Sequence, residues 1–222
     1  MTDERLQARP LVLSAPSGAG KTTIARALVE KEEDFAFSIS ATTRPPRDYE
    51  VDGEDYWFLS EEAFLEMAEE GRFAEWARVH GDLYGTPMES LLKAGEGGRR
   101  VVLDIDVQGA MQIREAVPEA LLLFILPPSA ESHFERLLSR GTEGEAALRR
   151  RLTTALQELE SLETFDFFVV NEDLDEAIRE VRELARTGVA PPGGSTGTLD
   201  DAKRLREGIG ALLRKENLLD SH

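Results

Sequence analysis

Cysteine is absent from this 222-residue chain, and histidine occurs only at His80, His133 and His222. Without cysteine there is no disulfide, no iron–sulfur cluster and no cysteine-ligated zinc site. Three scattered histidines also argue against a histidine metal cage. The composition therefore excludes metal centres bound by cysteine and disfavours those bound by several histidines.

Long apolar runs and an excess of positive charge are missing as well. The longest apolar run, residues 120–126, is closed by two prolines, whereas a membrane-spanning helix needs about 20 apolar residues. The first ten residues are charged and lack the apolar core of a secretory signal. Asp and Glu outnumber Lys and Arg by 43 to 26, and the net charge of −17 disfavours nucleic acids and anionic membranes as partners. We therefore expect a soluble, cytoplasmic protein.

Short apolar runs alternate with helical patterns along most of the chain. The runs at 11–14, 101–105, 121–126 and 167–170 are predicted to be buried strands of the kind that a parallel sheet requires. Between them, apolar residues recur at helical spacing. This alternation of strands and helices predicts an open α/β sheet.

Two stretches depart from this alternation. Residues 36–95 carry most of the aromatic residues and several turn signals, which predicts an inserted lobe with its own small sheet. The Pro- and Gly-rich sequence VAPPGGSTGT predicts a linker over 188–199. A helical extension is predicted over 200–222, although Gly208 and Gly210 weaken the helix. Three arrangements are open for its apolar stripe: docked on the core, docked on a second subunit of a homo-oligomer, or loosely ordered.

The segment LVLSAPSGAGKTT runs from an apolar strand, through a glycine-rich turn, into an amphipathic helix. It carries the last three fixed residues of G-x-x-x-x-G-K-[ST], namely Gly20, Lys21 and Thr22, but Ala15 occupies the first fixed position. Successive N–H groups at a helix N-terminus form an anion nest. We predict that Lys21 neutralises the phosphates of ATP and that the Thr22 hydroxyl holds Mg²⁺. A chance glycine turn is the alternative, and the flanking strand and helix disfavour it. The predicted ATP contacts in this loop are Ala15, Pro16, Ser17, Gly18, Ala19, Gly20, Lys21 and Thr22.

The run VVLDID places Asp104 and Asp106 at the C-terminal end of a predicted strand. Ligands bind at this edge of α/β sheets, although many strands end in Asp. Together with the phosphate loop, the two carboxylates become candidates for contacting Mg²⁺-bound water or substrate.

The phosphoryl acceptor is indicated by a resemblance, because phosphate loops serve ATPases, GTPases and small-molecule kinases alike. The segment SISATTRPPRDYEVDGEDYWF resembles the nucleoside-monophosphate lobe of guanylate kinases. The match continues in the family's order through FAEWARVHGDLYGTP, VVLDIDVQGA, RLLSRGTEGE and VVNED. The resemblance implies a phosphate-loop nucleoside-monophosphate kinase that converts ATP and GMP to ADP and GDP with Mg²⁺. It implies a kinase domain over 1–187, with a parallel-sheet core (9–35 and 96–187), a GMP lobe (36–95) and a lid (about 136–152).

The resemblance also implies the residues that bind GMP. The implied contacts to its phosphate are Ser40, Arg44, Arg47 and Tyr56. The implied contacts to guanine are Glu75, Tyr84, Thr86 and Asp104. This chemistry is reasonable, because guanidinium groups bind phosphate bidentately and guanine's N1–H and N2 amino donors suit a carboxylate.

On the ATP side, the resemblance assigns Arg136 and Asn171 to nucleotide binding. Arg140 and Arg151 match lid arginines and join Lys21 and Arg44 as the expected catalytic residues. The choice among Arg149, Arg150 and Arg151 is open. His80 and His133 have no role in the family pattern, so we expect them to be structural or surface residues.

Two other functions are known for domains of similar sequence. Guanylate-kinase-like domains of scaffold proteins bind peptides and have lost the phosphate-loop chemistry, and related kinases phosphorylate other acceptors. The presence of Gly20, Lys21 and Thr22 favours an enzyme over a scaffold domain. Glu75 together with Asp104 favours GMP over other acceptors.

Overall fold

A computed structural model describes residues 9–79, 81–139, 145–160, 162–191, 194 and 196–215. Among the residues singled out above, His80, Arg140 and His222 lie outside this range, as do lid residues 141–144. The strands are β1 (Leu11–Ser14), β2 (Phe35–Phe37), β3 (Ala41–Thr42), β4 (Trp57–Phe58), β5 (Phe73–Val79), β6 (Asp82–Pro87), β7 (Arg100–Asp104), β8 (Leu121–Leu126), β9 (Phe167–Val170) and β10 (Thr196–Gly197). The helices are α1 (Lys21–Lys31), α2 (Glu61–Glu69), α3 (Met88–Ala94), α4 (Val107–Ala116), α5 (Ala130–Ser139), α6 (Glu145–Glu158), α7 (Leu174–Thr187) and α8 (Leu199–Lys215).

The larger of two sheets has six strands in the order β10-β9-β8-β1-β7-β2. Its pairs β2–β7 and β8–β9 are parallel. All six residues of β8 are buried, which explains why its sequence LLLFIL shows no polar alternation. The expected α/β class with a parallel-sheet core is therefore confirmed.

The chain divides into two compact units. The first unit comprises Met1–Val12 and Val29–Leu121, and the second comprises Leu13–Leu28 and Leu122–His222. The phosphate loop belongs to the second unit. The residues predicted to bind GMP belong to the first.

The first unit contains the smaller sheet, with strand order β4-β3-β6-β5. Its strands all fall within residues 36–95, where a separate small sheet is predicted. On one face, Ala41 and Leu83 form a buried cluster with Phe64 of α2. Because side chains alternate along a strand, Thr86 and its neighbours at every second position point to the other face. That other face carries the polar residues described below.

The second unit contains a strand where the composition predicts a linker. Thr196 and Gly197 form β10, which pairs antiparallel with β9, Thr196 lying opposite Val169. An unpaired sheet edge is a liability in water, and this short strand covers the edge of β9. Local composition cannot reveal such a pairing, because the partner strand is distant in sequence.

Helix α8 packs against α5 and α6 within the second unit. It buries four residues at helical spacing: Ala202, Leu205, Ile209 and Leu213. Of the three arrangements open for the apolar stripe, the structure shows docking on the chain's own helices. Within the described residues, no helix is both long enough and apolar enough to cross a membrane.

Candidate active site

The phosphate loop leads from β1 into α1. Gly18 and Gly20 have φ of 91° and 98°, a region that residues with a side chain rarely adopt. The N–H of Ala19 donates to the carbonyl of Pro16 at 3.0 Å, which closes a tight turn. Ala15, the departure from the usual glycine, is 4% exposed. The loop thus has the glycine-dependent backbone that the sequence predicts.

Asn171 packs directly behind this loop. Its side-chain Nδ2 donates to the main-chain carbonyl of Ala19 at 2.7 Å, and the main-chain carbonyl of Asn171 accepts from Nη2 of Arg136 at 2.9 Å. A Cβ on Gly20 would lie 2.3 Å from the Asn171 Nδ2, so only glycine fits there. The structure therefore brings Asn171, Arg136 and the loop together, and the amide of Asn171 has a clear structural task.

A cavity of about 260 Å³ opens beside the loop. It is lined by Gly18, Gly20, Thr23, Arg136, Ser139, Asn171, Glu172 and Leu174. Of the lid arginines, Arg149 and Arg151 are partly buried on α6, whereas Arg150 is exposed. Arg140 lies outside the described residues.

Glu75 and Thr86 form a buried polar pair in the first unit. They lie opposite each other on β5 and β6, and the Thr86 hydroxyl donates to Oε1 of Glu75 at 2.6 Å. Thr86 is fully buried and Glu75 is 7% exposed. A Cβ on Gly109 of α4 would lie 3.1 Å from Oε2 of Glu75. The carboxylate is therefore held in one orientation, with a glycine beside its second oxygen.

Arg44 is held in place by an acid and by aromatic rings. Its Nη1 and Nη2 donate to the two carboxylate oxygens of Glu50 at 2.8 and 2.9 Å. Its Cζ lies 5.4 Å from the ring centroid of Tyr56 and 5.7 Å from that of Phe58, within the range of cation–π attraction. The hydrogen bond from Arg44 holds the pKa of Glu50 down at about 2, and Glu50 in turn raises the pKa of Arg44.

The other residues predicted to bind GMP each contact different neighbours. Tyr56 and Tyr84 meet edge to face at 6.4 Å between centroids, and burial raises the pKa of the Tyr56 phenol. Arg47 is exposed, and its Nη1 donates to the Tyr49 hydroxyl at 3.0 Å. Ser40 is partly buried and accepts a main-chain hydrogen bond from Trp57 at 2.9 Å through its carbonyl.

Asp104 and Asp106 lie where β7 leads into α4. Asp104 ends the strand and is partly buried. Asp106 is the N-cap of α4, since its Oδ1 accepts from the N–H of Gly109 at 2.8 Å. Among the described residues, no group of three or more His, Asp or Glu side chains could hold a metal ion by itself. Thr22, the second residue of α1 in the second unit, is exposed.

Sequence reasoning missed Glu50, Gln112 and the position of His133. Glu50 lies inside the segment that carries the family resemblance. An acid three residues after Arg47 could have been recognised as a partner for the nearby arginines. The side-chain amide of Gln112 on α4 exchanges two hydrogen bonds, each 3.0 Å, with the main chain of Trp76 on edge strand β5. His133 is fully buried and reaches the phosphate loop. No local pattern marks the last two contacts.

Comparison with known proteins adds the family. The guanylate kinase family model matches residues 7–187. The guanylate kinase of Caldanaerobacter subterraneus subsp. tengcongensis is 49% identical over 174 residues, which are 78% of this chain and 84% of that protein. That of Rubrobacter xylanophilus is 46% identical over 182 residues, covering 82% and 95%. The crystal structure of guanylate kinase from Anaplasma phagocytophilum superimposes with a TM-score of 0.63 at 30% identity, covering 96% of this chain and 97% of that one. The chain belongs to the guanylate kinase family.

Proposed function

We propose that this chain transfers the γ-phosphoryl group of ATP to GMP, giving ADP and GDP, as an enzyme of purine nucleotide metabolism in the cytoplasm. Family membership supports the reaction. The buried Glu75–Thr86 pair is the observation that supports GMP as the acceptor bound by this chain's own residues.

The proposed guanine contacts follow from the hydrogen-bond roles of that pair. Thr86 gives its only hydroxyl hydrogen to Glu75, so its oxygen is left to accept. Glu75, when ionised, also only accepts. Two acceptors side by side suit guanine's adjacent N1–H and N2 amino donors. Adenine presents an unprotonated N1 at the same edge and would place acceptor against acceptor.

The proposed phosphate contacts of GMP are Ser40, Arg44, Arg47 and Tyr56. Arg44 is already oriented by Glu50. The Tyr56 phenol has its hydrogen at neutral pH, because the ordinary pKa of tyrosine is about 10 and burial raises it further. A guanidinium fork and a phenol donor together bind a phosphate with defined geometry. We assign Tyr84 and Asp104 to the guanine side of the same site.

On the ATP side, we propose that the loop residues 15–22 cradle the phosphates and that the cavity beside Arg136 and Asn171 receives the adenosine portion. Lys21, with lid arginines Arg140 and Arg151, would supply positive charge where negative charge develops during transfer. A phosphate monoester is already an anionic nucleophile, so positioning and charge neutralisation are the work required of the protein.

Mg²⁺ is the cofactor we propose for ATP binding. The Thr22 hydroxyl would hold the ion, and Asp104 and Asp106 would hold its waters. These oxygen ligands fit Mg²⁺, which prefers oxygen and retains several waters in nucleotide sites. When bound, the ion neutralises charge on the ATP phosphates.

A coupled assay for ADP formation, with GMP, AMP and dTMP supplied separately, tests the proposed function. We expect turnover with GMP and little with the other two. Comparable turnover with AMP or dTMP would mean that the acceptor site is misassigned. No turnover with any of the three would favour the scaffold-domain alternative.

A further inference from the structure

His133 connects helix α5 to the phosphate loop. The side chain is fully buried, and its Nε2 lies 2.8 Å from the main-chain oxygen of Ser17. A carbonyl oxygen only accepts hydrogen bonds, so the hydrogen must be on Nε2 and His133 is the donor. Nδ1 has no hydrogen-bond partner in the part of the chain that the structure describes.

The imidazole is neutral in this position. Burial is the main cause that lowers the pKa of His133; the bond to Ser17 opposes this, and the charge of Arg136 on the same helix adds to it. A protonated ring would also place an Nδ1–H in buried surroundings where the described residues offer no acceptor. The ring therefore has one hydrogen, and that hydrogen points at the loop.

The bond to Ser17 fixes more than one atom, because a peptide unit is planar. In a trans peptide the C=O of one residue and the N–H of the next point in opposite directions. Holding the Ser17 carbonyl toward His133 therefore directs the Gly18 N–H away from α5. Asn171 does the same two peptides further on, since its bond to the Ala19 carbonyl directs the Gly20 N–H.

Gly18 makes this restraint necessary. Its φ of 91° shows that the residue uses conformations open mainly to glycine. A peptide bond that precedes a glycine can rotate as a plate at small cost, because no Cβ obstructs the alternative φ. Without a donor at Ser17, the Ser17–Gly18 peptide would have two orientations, and only one presents the Gly18 N–H to a bound anion.

We propose that His133 is a positioning residue for ATP: it holds the Ser17–Gly18 peptide in the orientation that presents the Gly18 N–H to the nucleotide's phosphates. The inference rests on the proposed placement of ATP on this loop. It extends that proposal, because it assigns a role to a histidine outside the family pattern. His133 acts through the loop and makes no contact with the nucleotide itself.

Two substitutions separate the hydrogen bond from the packing. His133→Leu fills a similar volume but has no donor, whereas His133→Gln can place an amide N–H near the position of Nε2. We expect His133→Leu to raise the KM for ATP and the Kd for ADP by about 5- to 50-fold, because only a fraction of the molecules would then hold the loop in the orientation that binds phosphate. His133→Gln should recover most of that loss. The KM for GMP should stay within twofold in both variants.

A purely structural role predicts a different pattern. In that case both variants would lower the melting temperature, while ADP affinity measured by titration calorimetry below that temperature would stay at the wild-type value. This result, or equal ADP affinity in the leucine and glutamine variants, would overturn the proposal. If His133→Leu does not fold, His133→Asn replaces it, since asparagine keeps a polar side chain that is too short to reach Ser17.

Wild-type protein and Lys21→Ala separate this inference from the proposed function. If wild-type protein binds ADP, Lys21→Ala does not, and the His133 variants bind like wild type, then only the role of His133 is wrong. If wild-type protein fails to bind ADP, or Lys21→Ala binds it equally well, the nucleotide is not on this loop and the proposed function itself is misplaced.

Discussion

At the scale of single residues, the proposed GMP site uses two carboxylates in opposite ways. Glu50 is paired with cationic residues: it accepts from both terminal nitrogens of Arg44 and from the main-chain N–H of Arg47. Glu75 accepts a hydrogen bond from the neutral hydroxyl of Thr86. Glu50 therefore balances positive charge before any phosphate is bound. In the proposed site, Glu75 would accept from the two donors of neutral guanine.

Replacing Glu75 by glutamine should weaken GMP use without weakening ATP binding. The amide oxygen can still accept from Thr86, which turns the NH₂ group toward guanine's donors. A buried donor facing a donor costs about 1–3 kcal/mol, or roughly 5- to 150-fold in kcat/KM for GMP. Glu66→Gln, the same chemical change at an exposed position of α2, is the control. Unchanged GMP affinity with lowered ADP affinity would show that Glu75 is misassigned.

Glu50 gives an expectation for acid stability. Its pKa is lowered from 4.5 to about 2, chiefly by the hydrogen bond from Arg44. A carboxylate with a lowered pKa in the folded state stabilises the protein above its unfolded-state pKa, and this contribution is lost as pH falls. The melting temperature of wild-type protein should therefore exceed that of Glu50→Gln at pH 7. The gap should narrow between pH 4.5 and 2. If this difference in melting temperature stayed constant from pH 4.5 to 2, the result would contradict the ion pair between Arg44 and Glu50.

At the scale of elements, α8 shows how two glycines in one helix can differ. By helix propensity alone, both glycines weaken the helix. Gly208 has a packing reason, because a Cβ there would lie 2.8 Å from the Cβ of Ala130 on α5. Gly210 has no such neighbour: its nearest described contact would be the end of the flexible Arg214 side chain at 3.6 Å. The close approach of α8 to α5 thus depends on one glycine and not on the other.

Alanine substitutions at these two positions form a matched pair. Gly210→Ala should gain the helix propensity of alanine, up to about 1 kcal/mol, and raise the melting temperature by roughly 2–4 °C. Gly208→Ala gains the same propensity but overpacks the contact with Ala130, which typically costs about 1–3 kcal/mol. Thermal unfolding should rank Gly210→Ala above wild type and Gly208→Ala below Gly210→Ala. Equal midpoints for the two variants would mean that α8 does not approach α5 so closely.

At the scale of the whole molecule, the protein has a net charge of −17, although the nucleotides that the enzyme uses are also negatively charged. The long-range field of such a protein opposes the approach of anions. The proposed sites therefore depend on cations at short range, among them Arg44 in the first unit and Arg136 in the second. Salt screens the long-range repulsion more than it screens contacts at hydrogen-bond distance.

Removal of residues 189–222 tests how far the folding unit extends. Composition alone predicts a dispensable tail, because the kinase motifs all lie upstream. The packing of α8 reverses this expectation: Leu205, Ile209 and Leu213 are buried, and burial of such a side chain stabilises by about 1.5–3 kcal/mol. We expect the truncated chain to melt far below wild type and to lose activity at 37 °C. A chain ending at residue 215 keeps α8 and is the control. If the chain that lacks residues 189–222 had the melting temperature of wild type, α8 would not belong to the folding unit.

The four inner strands of the larger sheet, β9, β8, β1 and β7, were the most predictable part of the fold. The bounds of β1, β8 and β9 agree with the apolar runs at 11–14, 121–126 and 167–170, because strands buried on both faces must be apolar throughout. The phosphate loop was predictable for a related reason: its backbone needs glycines in fixed places, and those glycines are visible in the sequence.

Contacts between distant residues could not be predicted in this way. Ser17 and His133 are 116 positions apart, and neither residue type signals the other. The pairing of β10 with β9 likewise depends on an open sheet edge, which exists only after the sheet has formed. The Arg44–Glu50 pair is intermediate: it is local and chemically plausible, but many acids lie nearby, and only the fold selects one of them.

Descendants of this chain could not readily change the Glu75–Thr86 pair one mutation at a time. Replacing Thr86 by an apolar residue leaves a buried carboxylate oxygen without the hydroxyl that now binds it. Replacing Glu75 by an apolar residue strands a fully buried hydroxyl. The Glu75 single mutant would carry an unsatisfied buried hydroxyl at a cost of about 1–3 kcal/mol, whereas the double mutant would avoid it. The effect of changing Glu75 therefore depends on the residue at position 86, so each of the two neighbouring strands constrains changes in the other.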